Sequence, residues 1–243
     1  MTAGALFDSR AEWYDEAHDS RSVDGHMLRA RLAKVLEIAG DGPGAVVDVG
    51  MGPGRLVEAL ASRGWTVSGV DVSERMVELA RARLPTSANR LVVAPAEGLP
   101  FADASFQAAV ATGVLEYVRD LRAALDEIAR VLAPGGLLVG SIPNPRALHA
   151  LSKRIYYPVV ARMRGGRAAG PRRWIRPASL ADVLGRAGLE LERTAFTSYA
   201  AVPTPLDRLL VGASTRLAES LERRRPATAL LATQVVFRAE KRR

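Results

Sequence analysis

The stretch AVVDVGMGPGRLVEALASRGWTVSGVDVS, from Ala45 to Ser73, decides the fold. An apolar run from Ala45 to Val49 meets three alternate glycines, Gly50, Gly52 and Gly54, and a helical pattern follows through Leu56, Leu60 and Ala61. That order predicts strand, tight turn and helix. Glycines at such a turn allow positive φ and let a ligand approach bare main chain, while the new helix directs its N–H groups at that ligand. A second strand, Trp65 to Val70, ends at Asp71, where a carboxylate stands ready to accept hydrogen bonds from the two hydroxyls of a ribose. The stretch therefore predicts a nucleotide-cofactor site.

Upstream, residues 5–20 carry Phe7, Trp13 and Tyr14 among many charges; a helical pattern through Leu28, Leu32, Val35 and Leu36 then ends at GDGPG. Downstream, Gly64 suits a helix C-cap, and Ser73 suits the N-cap of a helix through Met76, Val77, Ala80 and Leu84 that stops before Pro85. Strands are expected at Arg90–Ala94, Phe106–Thr112 and Leu137–Ile142, with a helix from about Asp120 to Leu132 that PGG ends. Beyond Pro145 the alternation lapses. Leu148 to Met163 is mildly amphipathic with a break at Pro158, and GGRAAGPRR reads as a loop. A short helix (Pro177–Ala187) closed by Gly188, a sixth strand (Leu189–Tyr199), a helical stripe of Leu206, Leu209, Leu210, Ala213, Leu217 and Leu221, and a last strand (Ala229–Ala239) complete the chain. Strands alternating with helices predict an α/β fold: a Rossmann-like, doubly wound, mostly parallel seven-stranded sheet with an antiparallel last strand and a ligand crevice at the carboxyl ends of the strands.

With 243 residues, 48% of them hydrophobic, one domain with a full core is expected. Within it, 1–40 forms an N-terminal lid and helix, 41–143 the cofactor-binding core, 144–178 a basic substrate-side insertion and 179–243 the C-terminal part of the sheet. The absence of cysteine excludes disulfides and thiolate metal sites, and His18, His26 and His149 are too scattered for a metal cluster, so no metal is expected. No run of about 18 apolar residues exists and the N-terminus is acidic, so a cytoplasmic protein is expected. The net charge of +8 hides an asymmetry: residues 1–143 carry 14 basic and 19 acidic groups, residues 144–243 carry 20 and 7. From residue 144 to 181 there are nine Lys or Arg and no acid, a segment suited to anions, although a solvated basic loop accounts for it equally well.

The glycine spacing separates two chemistries. Dehydrogenases carry G-x-G-x-x-G, whereas this chain has G-x-G-x-G preceded by Asp48. With GVDVS, APAEGLPF and the stretch FQAAVATGVLEYVRDLRAALDEIARVLAPGGLLVGSIPNP in the same order, the chain from about Phe7 to Asn144 resembles the class I S-adenosylmethionine-dependent methyltransferases, in the group that includes quinone-biosynthesis and small-molecule enzymes. The alternatives are an NAD(P)-dependent oxidoreductase and a non-catalytic S-adenosylmethionine-binding protein.

The resemblance implies that Gly50, Gly52 and Gly54 lie against the methionine part and ribose of S-adenosylmethionine, with S-adenosylhomocysteine as product. Asp48 would orient the loop, Asp71 would bind the ribose, Val72 and Met76 would sit beside the adenine, and Ala96 and Glu97 would line the adenine pocket. Pro95 stands where relatives often carry Asp, which leaves adenine recognition to backbone groups or Glu97. Thr112 and Gly113 would border the methionine and the reaction site. Phe7-Asp8 and Tyr14-Asp15 resemble the relatives' lid. Tyr117 replaces a His found in many relatives, and with a pKa near 10 it is a poor base at neutral pH. Tyr117, His18 and Tyr14 are thus the candidates for a base or an acceptor contact, beside the alternatives of a ring packed over the sheet and surface residues of a mobile helix.

The acceptor is the harder question. A small anionic or lipid-linked acceptor would use Arg154, Arg172 or Arg173 as clamps, with Tyr14, Tyr117 and Tyr157 as further contacts. Peripheral contact with an anionic membrane would use Leu148, Leu151, Ile155, Tyr156 and Tyr157 as an apolar face, with Lys153, Arg154 and Arg162 towards headgroups. No appended RNA-binding module accompanies the basic segment 146–176, so nucleic acid is not expected. The acceptor atom and the oligomeric state are not readable from the sequence.

Overall fold

The computed structural model describes residues 3–152, 155–156, 175–203, 205–224 and 229–242. Two short N-terminal helices, α1 (Ala3–Asp8) and α2 (Ala11–Asp19), precede α3 (Val23–Ala39), which Ser22 caps by accepting from the Gly25 N–H. The alternating core follows: β1 (Gly44–Val49), α4 (Arg55–Ala61), β2 (Trp65–Asp71), α5 (Glu74–Arg83), β3 (Leu91–Val93), β4 (Phe106–Thr112), α6 (Leu121–Val131) and β5 (Leu132–Pro143). The C-terminal part adds α7 (Leu180–Arg186), β6 (Leu189–Tyr199), one turn at Leu206–Leu209, α8 (Val211–Arg224) and β7 (Ala232–Lys241).

All seven strands form one sheet in the order β3-β2-β1-β4-β5-β7-β6, with β7 antiparallel to both neighbours. Both faces are covered, and strand residues alternate between two cores. Val47, Val49, Ala109, Ala111, Leu138 and Phe237 meet Leu125 and Ile128 of α6 on one side. Val46, Ala108, Val110, Val139 and Val236 meet Val35, Leu60, Val77 and Ala80 on the other. Consecutive apolar residues, as at Val46-Val47, Ala108 to Ala111 and Val235 to Phe237, are what burial on two faces demands.

Three differences from the sequence reading have local causes. β3 shortens because residues 85–90 coil into a 3₁₀ turn. β5 begins at Leu132 rather than Leu137: the helix stops at Val131, ahead of PGG, which lies within the strand instead of ending the helix; Leu132 pairs with Phe106, and an irregularity between Phe106 and Ala108 absorbs the extra residues. The stripe of Leu206, Leu209, Leu210 and Leu217 does not face the sheet; α8 packs through Ser214, Thr215 and Ala218 instead, and the leucines are exposed.

Because sheet order reverses between β1 and β4, their carboxyl ends diverge and open the crevice in which this architecture binds ligands.

Candidate functional site

Three strand ends, Val49 of β1, Asp71 of β2 and Thr112 of β4, define the crevice together with Ser141, the partner of Thr112 near the end of β5. After β1 the chain turns through Gly50, Gly52 and Gly54, with φ of 75°, 54° and 83°, a region L side chains rarely enter. The turn is set by main-chain bonds: the N–H groups of Gly50 and Met51 both donate to Val70 O, at 2.8 and 3.0 Å. At Gly52 a β-carbon would meet only Met76 Sδ, at 3.9 Å, so bare backbone borders open space.

Asp71 ties this turn to the next helix. Its Oδ2 accepts from the Gly52 N–H and its Oδ1 from the Ser73 N–H, both at 2.9 Å. Burial raises its pKa against those backbone donors, which favour the ionised form. Beneath it, Asp48 is fully buried and its Oδ1 has no hydrogen-bond partner among the described residues. Burial first, and the neighbouring Asp71 second, push Asp48 up to about 8, with Arg31 opposing.

Arg31 is a residue the sequence reading missed. It lies on α3, and its guanidinium packs on Gly113, where a β-carbon would stand 2.6 Å from Nη1. Gly113, at φ 68°, is pinned by donating to Ser141 Oγ at 3.0 Å. Nothing local in the sequence marks this arginine, since its partners lie about 20 and 80 residues away.

The first two helices lie across the crevice. Ser73 caps α5 by accepting from the Met76 N–H and donates to Asp8 Oδ1 at 2.6 Å. Asp15 pairs with Arg55 and Arg83, and Glu12 with Arg75. Gly4 approaches Val72 so closely that a β-carbon would stand 2.9 Å from its carbonyl oxygen. The ring of Phe7 joins two aromatic candidates, lying 6.2 Å from Tyr14 and edge-on to Tyr117 at 5.0 Å.

His18 is outside this aromatic cluster. It lines a 630 Å³ groove with Arg21, Arg29, Thr215, Arg216 and Glu219, and burial together with Arg31 and Arg55 lowers its pKa to about 4, which makes it a weak base. Glu97 is engaged as well: its Oε1 accepts from the N–H groups of Arg119 and Asp120, at 2.7 and 3.2 Å, locking the turn before α6. Met76 and Ala96 are buried, Val72 exposed and Thr112 half-buried. Arg154, Tyr157, Arg172 and Arg173 lie outside the described residues, as do Lys153 and Arg162. No group of three or more His, Cys, Asp or Glu suited to a metal occurs among the described residues.

Comparison with known proteins bears on this arrangement. A family model described as a methyltransferase domain matches residues 47–140, which hold the glycine turn, Asp71 and Gly113. A demethylmenaquinone methyltransferase of Tropheryma whipplei is 34% identical over 154 residues, 62% of this chain and 63% of that protein, so the chain spans somewhat under two thirds of it. A ubiquinone biosynthesis O-methyltransferase of Thiobacillus denitrificans is 31% identical over 157 residues, 63% of this chain and 68% of that protein. Among solved structures, a methyltransferase of Thermotoga maritima described as dependent on S-adenosylmethionine superposes with a TM-score of 0.69 at 21% identity, over 98% of this chain and 99% of that one. A shared fold alone does not assign chemistry, but here the family model spans the turn, the acid after β2 and the strands around them, and a relative 31% identical is matched over 68% of its length: the chain belongs to the class I S-adenosylmethionine-dependent methyltransferases.

Proposed function

We propose that this protein transfers the methyl group of S-adenosylmethionine to a small-molecule acceptor of anionic or lipid-like character. The observation that carries this reading is the open backbone at Gly52 held by the Asp71 carboxylate at the switch point of the sheet. Such a site offers main chain to a ligand on one side and an acceptor for ribose hydroxyls on the other. When bound, the cofactor supplies an already activated methyl group, so the protein needs no nucleophile of its own.

The residues divide the work. Asp71 receives the ribose hydroxyls, the main chain at Gly50, Gly52 and Gly54 lies along the ribose and methionine part, and Val72, Met76 and Ala96 flank the adenine. Glu97 acts by fixing the turn at Arg119–Asp120, and Thr112 and Gly113 border the methionine. Asp48 sets the turn from below. The N-terminal helices act as the lid, excluding water and holding the acceptor in line; positioning of this kind supplies roughly 7–11 kcal/mol of a barrier. Phe7, Tyr14 and Tyr117 then form the acceptor-facing wall. Relatives named for demethylmenaquinone, ubiquinone and malonyl-[acyl-carrier protein] methylation support a quinone-like or acyl-linked acceptor.

Calorimetric titration tests the cofactor assignment directly. Saturable binding of S-adenosylhomocysteine with none of NADH is expected; the reverse pattern would make the protein an oxidoreductase, and cofactor binding without methyl transfer to any quinone precursor or acyl-linked acceptor would favour the non-catalytic alternative.

Arg31 extends the proposal. A guanidinium beside Gly113 can hold the cofactor's carboxylate, a charge-assisted interaction that contributes about 1.5–3 kcal/mol. Arg31→Ala should therefore weaken S-adenosylhomocysteine binding roughly 10- to 100-fold. Affinity for methylthioadenosine, which lacks the carboxylate, should stay within about twofold; equal losses for both ligands would show that Arg31 serves only the packing of α3.

A further inference from the structure

Twelve large hydrophobic side chains are exposed among the described residues, and nine of them fall in three short pieces: Leu148, Leu151 and Ile155; Leu206 to Leu217; and Leu230. These pieces are neighbours. The Leu148 N–H donates to Leu230 O at 2.8 Å. His149 lies 3.1 Å from Val202 O through Nδ1 and 3.9 Å from Asp207 through Nε2, tying the turn at Ala147–Ser152 to the turn at Leu206–Leu209. The result is one apolar surface, with Leu209 75%, Leu230 60% and Leu210 56% exposed. Spacing at 206, 209, 210, 213 and 217 is that of a buried helix stripe, yet α8 buries Ser214, Thr215 and Ala218. An amphipathic element turned inside out against its own core marks a surface kept for something else.

Charge says what that is. Every exposed ionic group on residues 205–224 is a cation, namely Arg208, Arg216, Arg223 and Arg224, whereas Asp207 is buried, and Glu219 and Glu222 are only partly exposed. Glu222 is also turned inward, accepting from Thr197 Oγ1 and the Tyr199 N–H. A second copy of the chain would set like charges against each other across such a surface. An anionic bilayer neutralises them while taking the leucines into its interface.

We propose that this surface docks the protein on anionic phospholipid membranes, with Leu206, Leu209, Leu210 and Leu230 entering the headgroup–acyl boundary and Arg208, Arg216, Arg223 and Arg224 facing the phosphates. The binding determinant is thereby centred on Leu206–Leu217 rather than on the aromatic 148–157 stretch that the sequence suggests. It does not rest on the methyl-transfer assignment, because docking needs neither cofactor nor acceptor.

Flotation of the full chain with vesicles of phosphatidylcholine containing phosphatidylglycerol, or of phosphatidylcholine alone, reads it out. Binding to the anionic vesicles is expected, weakened several-fold between 50 and 500 mM salt. The double variant Leu209→Asp, Leu210→Asp should lose at least about tenfold in partitioning. Its circular dichroism and S-adenosylhomocysteine binding should be unchanged, since both side chains are exposed. Absence of binding to anionic vesicles, equal binding to neutral ones, or undiminished binding of the double variant would overturn the proposal. So would a wild-type dimer that the double variant dissociates, which would assign the surface to a second copy.

Discussion

Replacing Asp71 with alanine is expected to weaken S-adenosylhomocysteine binding by about 10² to 10⁴-fold, the largest loss from any single side chain of the site. Two hydroxyl donors on one carboxylate contribute about 1.5–3 kcal/mol each, and each 1.4 kcal/mol is a factor of ten. A second effect acts in the same direction. Asp71 Oδ2 holds the Gly52 N–H and Oδ1 the Ser73 N–H, so its removal frees both the glycine turn and the start of α5. Asp71→Asn separates the two effects: the amide keeps one oxygen for a backbone donor but loses the charge and one acceptor. Calorimetry should rank wild type well above Asn, and Asn at or above Ala, with thermal unfolding reporting any loss of the fold. An Asp71→Ala protein that binds within about threefold of wild type would remove Asp71 from the cofactor site.

What could be read from the sequence follows the reach of each interaction. Ser73 as an N-cap was legible because its acceptor serves Met76, three residues on; Gly64 and Gly188 were legible because both take positive φ beyond a helix end. The limits of β4 followed from an apolar run bounded by turn residues. Periodicity identified the leucines at 206–217 as one stripe but carried no sign for its direction. Which face of α8 meets the body depends on Thr215 reaching the Arg21 carbonyl and on small side chains allowing close approach to α3, contacts nearly 200 residues apart in sequence. Arg31 and the inward lock of Glu97 were hidden for the same reason. Both residues look like ordinary surface charges until the fold delivers Gly113 to one and the Arg119–Asp120 turn to the other.

The acid beneath the glycine turn should also write itself into the pH dependence of stability. Asp48 is buried, and its folded pKa of about 8 stands above the value near 3.9 of an unfolded chain. Between about pH 4 and 8 the folded protein therefore holds a proton that the unfolded chain has released. Stability from this group is complete below about pH 4 and declines as pH rises through 8, the reverse of a salt-bridged carboxylate. Asp48→Asn presents a neutral group of the same shape at every pH. Its unfolding free energy should exceed that of wild type by a margin that widens from pH 5 to 8 and reaches the order of a few kcal/mol. Urea unfolding of both proteins at half-unit steps across that window measures the margin. Asp71 is also raised by burial and is itself one cause of the Asp48 shift, so the difference between the curves reads the titration of the Asp48–Asp71 pair. Parallel curves would mean that Asp48 is already ionised in the folded protein, with Arg31 rather than a proton meeting its charge. In that case Arg31→Ala, and not Asp48→Asn, would be the substitution that makes stability depend on pH.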